Sequence, residues 1–299
     1  MNHSKVAIIG AGPAGMACAV QLKRYGIEPF LFEKNQTGGL LRNAHLVENY
    51  LGFEAGISGH ELVEKFRKNL ADLDIEPIFS EVKKVYFSES NFIINTNNGL
   101  FLTRFLVVAS GTTPIKLQIP MKPIFQDKLF YEIANCKQPI MDRKKIAIIG
   151  AGDAAFDYAI NLVNNYNVSE VVIINRNDKA KCLSVLEKRA EKTKKIKHIK
   201  NINVEYFKET DEKIVLSCIE KKNRINIEAD YIIPAIGREP CLDFLDKKIL
   251  KSSLSLQKEG LLYFIGDVAN DNYRQISIAT GDGIKIAMKI HSKLNTMYL

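Results

Sequence analysis

The sequence predicts an α/β fold with two Rossmann-like dinucleotide-binding domains, the second inserted into a discontinuous first. Three observations predict it. Lys5–Gly15 (KVAIIGAGPAG) and Lys145–Ala155 (KIAIIGAGDAA) agree at eight of eleven positions, at an offset of 140 residues. Each copy is a short apolar run, a glycine turn and a helix-like stretch, the opening of a βαβ unit. Glycine-rich motifs that continue the first unit lie at both ends of the chain, outside the second copy.

The first copy begins with the apolar strand Val6-Ala7-Ile8-Ile9 and turns through Gly10, Gly12 and Gly15. The first glycine permits the tight turn, the second lets backbone approach a pyrophosphate, and the third lets the helix pack close to the strand. Pro13 and Ala14 open the helix, which runs through Met16–Leu22 and offers its positive N-terminal end to phosphate. A second strand, Pro29–Phe32, ends in Glu33. That carboxylate is placed to accept hydrogen bonds from an adenosine ribose.

The second copy turns through Gly150 and Gly152, with Asp153, Ala154 and Ala155 leading into a helix over Phe156–Val163. Its second strand, Val171–Ile174, runs into Asn175-Arg176-Asn177-Asp178, with Lys179 and Lys181 beyond. An Arg at the strand tip, where the first copy has an acid, suits a 2′-phosphate and favours NADPH over NADH. Two such units in one chain imply two dinucleotides with electrons passing between them. The alternative is that one copy is a structural relic.

Composition agrees with an ordinary globular chain, 46% apolar and 25% charged over 299 residues. No apolar run approaches the ~18 residues of a membrane span. The first strand pattern begins almost at Met1, leaving no room for a presequence, so a cytoplasmic location is expected. The cysteines are Cys18, Cys136, Cys182, Cys218 and Cys241, none paired at C-x-x-C spacing. Neither a metal site nor a disulfide framework is expected. Much of the net charge of +8 lies between Lys179 and Lys200. It reads as a solvated helix and turn, or as a positive field for a phosphorylated cofactor or an acidic protein. No nucleic-acid motif accompanies it.

With these motifs on the page, the sequence resembles the low-molecular-weight thioredoxin reductase family nearly end to end. Thr37-Gly38-Gly39-Leu40-Leu41, Glu48-Asn49-Tyr50, Val107-Val108-Ala109-Ser110-Gly111, Gly266-Asp267-Val268 and Arg274-Gln275 resemble that family's flavin-site motifs. The resemblance implies FAD on Gly10, Gly12, Pro13, Ala14, Gly15, Glu33, Lys34, Gly39, Leu40, Asn49, Val82, Ala109, Gly111, Gly266, Asp267, Arg274, Gln275 and Ile276. It implies NAD(P) on Gly150, Gly152, Asp153, Ala154, Ala155, Asn175, Arg176, Lys181, Gly237 and Arg238. Asp267 would hydrogen-bond the ribityl chain, and the helix after Gln275 would stabilise charge on reduced flavin. The implied domains are 1–113 with 240–299 for FAD, and 114–239 for NAD(P). A homodimer is implied by the resemblance alone.

The sequence also departs from the family pattern. Cys136 stands fourteen residues before Gly150, where the second redox cysteine is expected, but its partner position is Ile133. A disulfide relay needs one thiol to attack and one to resolve. Leu40 replaces a Gln, and Asn177 replaces a second Arg. The expectation is an FAD-dependent NAD(P)H oxidoreductase of the thioredoxin-reductase-like type, with Cys136 an unpaired catalytic candidate. The acceptor is left open: thioredoxin through a C-x-x-C relay is not expected, and a small acidic carrier such as ferredoxin or flavodoxin is an alternative. The alternatives are a redox-sensing flavoprotein without turnover, or thiol chemistry between Cys136 and a distant cysteine.

Overall fold

The computed structural model describes residues 2–119, 123–133, 136, 138–210, 213–220 and 223–297. Ala134 and Asn135 of the Ile133–Cys136 stretch lie outside the described residues, as does Tyr298 near the C-terminus. The chain divides into two compact units. Unit 1 holds residues 1–42, 46–113 and 239–299, and unit 2 holds 43–45 and 114–238.

Unit 1 is built on β1 (Asn2–Ile9), β2 (Phe30–Glu33), β3 (Ile78–Phe79), β4 (Val82–Ser88), β5 (Asn91–Thr96), β6 (Gly99–Val108) and β16 (Leu262–Phe264). The order is β3-β2-β1-β6-β5-β4, with β16 also on β6. β6 is long enough to serve two neighbours on one side. Gly99–Thr103 pairs antiparallel with β5, and Leu106–Val108 pairs parallel with β16. Val6–Ile9 are buried without alternation, as a central parallel strand covered on both faces requires. Over this sheet pack α1 (Pro13–Arg24) and α7 (Ile276–Met297). Small buried residues on α1, Ala14, Gly15, Cys18 and Ala19, let α7 approach closely. A Cβ on Gly283 would lie 2.3 Å from the Ala14 carbonyl oxygen.

Unit 2 repeats the parallel core with β8 (Lys145–Ile149), β9 (Glu170–Ile174), β10 (Ile196–Ile199) and β14 (Tyr231–Pro234), in the order β10-β9-β8-β14. α3 (Gln138–Met141) precedes β8 and α4 (Asp153–Asn165) follows it, and an antiparallel sheet joins β11 (Ile202–Glu209), β12 (Ile214–Glu220) and β13 (Asn223–Ala229). The connecting strands β7 (Thr112–Pro114) and β15 (Arg238–Pro240) pair with each other.

Two elements depart from the sequence expectation. The basic stretch after Lys179 is not only helix and turn. It holds α5 (Ser184–Glu191) and then the edge strand β10. Lys197 points out to Glu170, which Lys145 also engages at 2.7 Å, while His198 packs edge-on against Phe156. The lysines mask a short alternation that the sheet edge satisfies. The second departure is α6 (Lys247–Lys258), which begins where Asp246 caps the Lys248 N–H at 2.9 Å.

On α4, burial pushes the Asp157 carboxyl up to about 6, although it accepts the His45 N–H at 3.1 Å within unit 2. The folded value lies above the unfolded one, so the folded chain binds the extra proton between about pH 4 and about pH 6. Stability therefore rises as pH falls through that window, and the charged form is the costly one at neutral pH. Asp157→Asn is expected to raise the thermal midpoint near pH 7 by about 2–4 °C and to flatten the midpoint-against-pH curve. Differential scanning fluorimetry across pH measures both.

Candidate functional site

The first glycine loop is shaped by a close approach. Gly10 has φ +106° and donates its N–H to the Phe32 carbonyl at 2.9 Å. A Cβ there would lie 2.3 Å from the Ala109 oxygen. Gly15 is just as constrained, since a Cβ would meet the Gly10 oxygen at 1.9 Å. Gly12 is different: among the described residues, a Cβ there would meet nothing within 4 Å. Gly12 is also the N-cap of α1, and no side chain caps that end. By contrast, α2 (Gly59–Ala71) has a full capping box from Ser58 and Glu61. An uncapped helix start that faces open space has the geometry of an anion cradle.

The other motifs gather around this loop. Glu33 braces it, with Oε2 accepting the Ala11 N–H and Oε1 the Asn35 N–H, both at 3.0 Å. A carboxylate has lone pairs left for hydroxyl donors after two such bonds. The Gly38 N–H reaches the Ala11 carbonyl at 2.8 Å, and Gly39 lies against the Gly12 Cα. Gly266 lies against Ala14, where a Cβ would come within 2.8 Å of the Ala14 methyl, and Asp267 follows it in a 3-10 turn. Pieces from residues 10, 33, 39, 109 and 266 thus meet at the N-terminus of α1. Asn49 Nδ2 donates to Gln275 Oε1 at 2.9 Å, joining the Glu48-Asn49 segment to the chain just before Ile276 opens α7. The Arg274 Nε is buried with no hydrogen-bond partner among the described residues.

Four expected residues sit elsewhere in the frame. Leu40 is in the 3-10 turn Gly39–Asn43, and Lys34 is exposed after β2. Val82 heads β4, and the Gly111 carbonyl accepts the Cys241 N–H at 3.1 Å.

The second loop repeats the first almost bond for bond. Gly150, φ +120°, donates to the Ile174 carbonyl at 3.0 Å, and a Cβ would lie 2.2 Å from the Ala235 oxygen. Gly152 caps α4 without a side-chain bond, and a Cβ there would make only an ordinary contact, 3.8 Å from the Lys181 carbonyl oxygen. The Lys181 N–H bonds the Ala151 carbonyl at 2.8 Å, as Gly38 does Ala11. Ala154 and the buried Ala155 lie in the first turn of α4. Asp153 Oδ1 accepts the Leu183 N–H at 2.7 Å. Asn175 Oδ1 accepts the Asn177 N–H at 3.0 Å, which leaves its Nδ2 buried with no partner among the described residues. Arg176 is exposed beside it. Gly237, φ +128°, accepts the Ile115 N–H at 3.0 Å, and Arg238 is engaged with Glu132 at 2.8 Å.

The cysteine candidate is sealed off. Ile133 and Cys136 are 1% and 7% exposed, and both belong to the core of unit 2. Burial pushes the Cys136 thiol up to about 12. All five cysteines are free. Among the described residues, no group of His, Cys, Asp or Glu could hold a metal, and no helix is long and apolar enough to cross a membrane.

Three residues escaped the sequence reading. The Ser80 N–H bonds the Glu33 carbonyl at 2.9 Å while its Oγ is buried with no partner among the described residues. Asp282 and Asn270 hold the Gly266 turn. Asp282 lies between two glycines, Gly281 and Gly283, but nothing local marks its partner, and nothing in the sequence marks Ser80.

Two open glycine cradles, two uncapped helix starts and orphaned polar atoms at Arg274 and Asn175 fit two bound dinucleotides. Substituting Gly12 or Gly152 by Ser separates binding from folding. The new hydroxyl can cap the helix, so stability should hold or rise by a few tenths of a kcal/mol. It also fills the cradle, so affinity for the nucleotide of that unit should fall about 10-fold or more. Gly10→Ala, in contrast, should lower the thermal midpoint outright. Thermal melts beside nucleotide titrations read both effects.

Known proteins share this arrangement. The chain is 26% identical over 297 residues to a 34.2 kDa protein in the rubredoxin operon of Clostridium pasteurianum, covering 94% of each chain. It is 30% identical to the mitochondrial thioredoxin reductase 1 of Arabidopsis thaliana, covering 96% of this chain and 83% of that one. The crystal structure of Lactococcus lactis thioredoxin reductase matches with a TM-score of 0.84 at 27% identity, covering 97% and 98% of the two chains. Residues 4–283 match the family model for pyridine nucleotide-disulphide oxidoreductases. This chain belongs to the pyridine nucleotide-disulphide oxidoreductase family.

Proposed function

We propose that the protein is an FAD-dependent NAD(P)H oxidoreductase that delivers electrons to a small acidic redox protein. The observation that carries this reading is the pair of glycine cradles, one in each unit, each at an uncapped helix start. Unit 1 would hold FAD, through the α1 N-terminus for pyrophosphate, Glu33 for ribose and Asp267 for the ribityl chain. Unit 2 would hold NADPH, with Arg176 and Lys181 near the tip of β9 for the 2′-phosphate. When bound, the two cofactors supply hydride transfer from nicotinamide to flavin. The chain's own part is to bind, orient and set charge. The Asn49–Gln275 bond brings two amides together at the start of α7, whose positive end favours anionic reduced flavin.

The acceptor follows from what the thiols cannot do. Cys136 is buried and has no cysteine at C-x-x-C spacing, so an internal dithiol relay is absent from this proposal. The net charge of +8 supports an acidic carrier such as ferredoxin or flavodoxin. The relative in a rubredoxin operon supports a small redox partner in general. A cytoplasmic homodimer completes the reading. Ile284 and Met288, exposed one turn apart on α7, support its dimeric part.

Anaerobic mixing with NADPH should bleach the flavin band near ~450 nm. NADH should act about 10-fold more slowly, and Arg176→Ala should narrow that gap. Ferredoxin or flavodoxin should restore the band, whereas thioredoxin should not. No bleaching with either nucleotide would refute turnover and leave a flavin sensor.

Cys136 gives an independent check. A thiol at about 12 is protonated at any physiological pH. Cys136→Ser should leave turnover within about 2-fold, and native protein should resist alkylation at Cys136 until urea unfolds it. Mass spectrometry of iodoacetamide-treated protein reads the second effect.

A further inference from the structure

The last parallel strand of unit 1 ends in a turn that is held from two sides. Gly266 has φ +70° and opens the 3-10 turn Gly266–Val268, which carries Asp267. Asp282, sixteen residues on and in the second turn of α7, accepts the Gly266 N–H on Oδ2 at 3.0 Å. The same oxygen accepts Asn270 Nδ2 at 2.5 Å, and Asn270 Nδ2 also donates to the Gly266 carbonyl at 3.0 Å. Both peptide groups of Gly266 are therefore fixed, its N–H by Asp282 and its C=O by Asn270. The two side chains fix each other.

A glycine at positive φ has a broad, shallow conformational well, so its peptide planes set the direction in which the next residue leaves. That next residue is Asp267. We propose that Asp282 and Asn270 form a carboxylate–amide clamp that fixes the Gly266 turn and so aims Asp267 at the ribityl chain of FAD. The proposal rests on the reading of unit 1 as the FAD unit. Neither clamp residue is assigned contact with the cofactor, so both are positioning residues. α7 then has two tasks from one segment. Its start presents a positive end, and its second turn sends a carboxylate back to the strand that binds the sugar chain.

A plain turn brace would stabilise the chain with or without flavin, and the clamp makes a narrower claim. Asp282 is only partly buried, so water can replace it in the flavin-free chain. FAD affinity by flavin fluorescence titration, visible circular dichroism of the bound flavin, and the melting point of flavin-free protein are compared across variants. Asp282→Ala and Asn270→Ala should each weaken FAD binding by about 10- to 100-fold. Each should alter the dichroism near ~450 nm and shift the flavin-free midpoint by under about 3 °C. Asp282→Asn keeps an oxygen that can accept both bonds and should stay near the parent. The double alanine variant should be no worse than either single one, because one clamp is broken once.

Parent-like FAD affinity and dichroism in both alanine variants would overturn the clamp while leaving the FAD reading intact. A lowered flavin-free midpoint with unchanged dichroism would reduce the pair to a turn brace, overturning it as well. If the parent protein binds no FAD, the reading of unit 1 fails and the clamp falls with it. Should Asp282→Ala not fold, Asn270→Ala carries the same test, since it removes the carbonyl arm and the bond to Asp282 but leaves Asp282 on the Gly266 N–H.

Discussion

The structure depends on one steric constraint, the passage of two backbones at the end of the first strand. Gly10 lies so close to Ala109 that any side chain would overlap its carbonyl oxygen, and the turn needs a positive φ at the same point. Because the backbones pass this closely, β1 and β6 stay paired to their last residues, and α1 starts directly above their ends. Gly15 extends the constraint by seating the first turn of α1 on the Gly10 carbonyl. The space left over Gly12 is therefore no accident of a loose loop. It is the one place in the turn where packing demands nothing, and the positive end of a helix faces it.

The same constraint appears at Gly150 and Ala235, and the differences between the copies are informative because so much else is equal. Where unit 1 has Gly15, unit 2 has Ala155, so the second helix accommodates a methyl that the first could not. Where unit 1 ends its second strand in Glu33, with both oxygens bonded to loop N–H groups, unit 2 has Asn175, with one bond and an orphaned amide. An acid that braces its own loop suits hydroxyl donors. A neutral amide beside Arg176 suits an anion. The specificity proposed for each unit thus rests on substitutions within one shared backbone frame.

Legibility in the sequence followed the range of the interactions. The glycine turns were readable because turn, cradle and helix packing all act within six residues. The strands around them were readable because buried parallel strands are continuous apolar runs. The contacts that assemble the first site were not readable as contacts. Nothing local shows that Gly266 will press on Ala14, that Asn49 will bond Gln275, or that Ser80 will bond Glu33. Strand β10 was hidden because it is only four residues long, lies among lysines, and turns its own Lys197 outward to Glu170 on the neighbouring strand. α6 has a capping Asp246 that could have been found, but its mixture of Lys, Ser and Leu gives a weak signal.

Cys136 shows how burial can decide chemistry that a motif leaves open. Position alone made it a candidate, since it stands where a redox cysteine is expected. Its reactivity depends on the thiolate, and at about 12 only about one thiol in 10⁵ is ionised at neutral pH. Exchange would also need a second thiol to resolve the mixed disulfide, and the position three residues earlier is Ile133, packed in the same core. Both side chains are packed into the core of unit 2. Under the proposed reading, electrons must then leave the flavin without a thiol intermediate. Direct transfer requires close approach of a partner rather than a covalent step. The demand on the protein surface shifts from presenting a reactive sulfur to attracting a carrier, and a strongly basic chain meets that demand through its field.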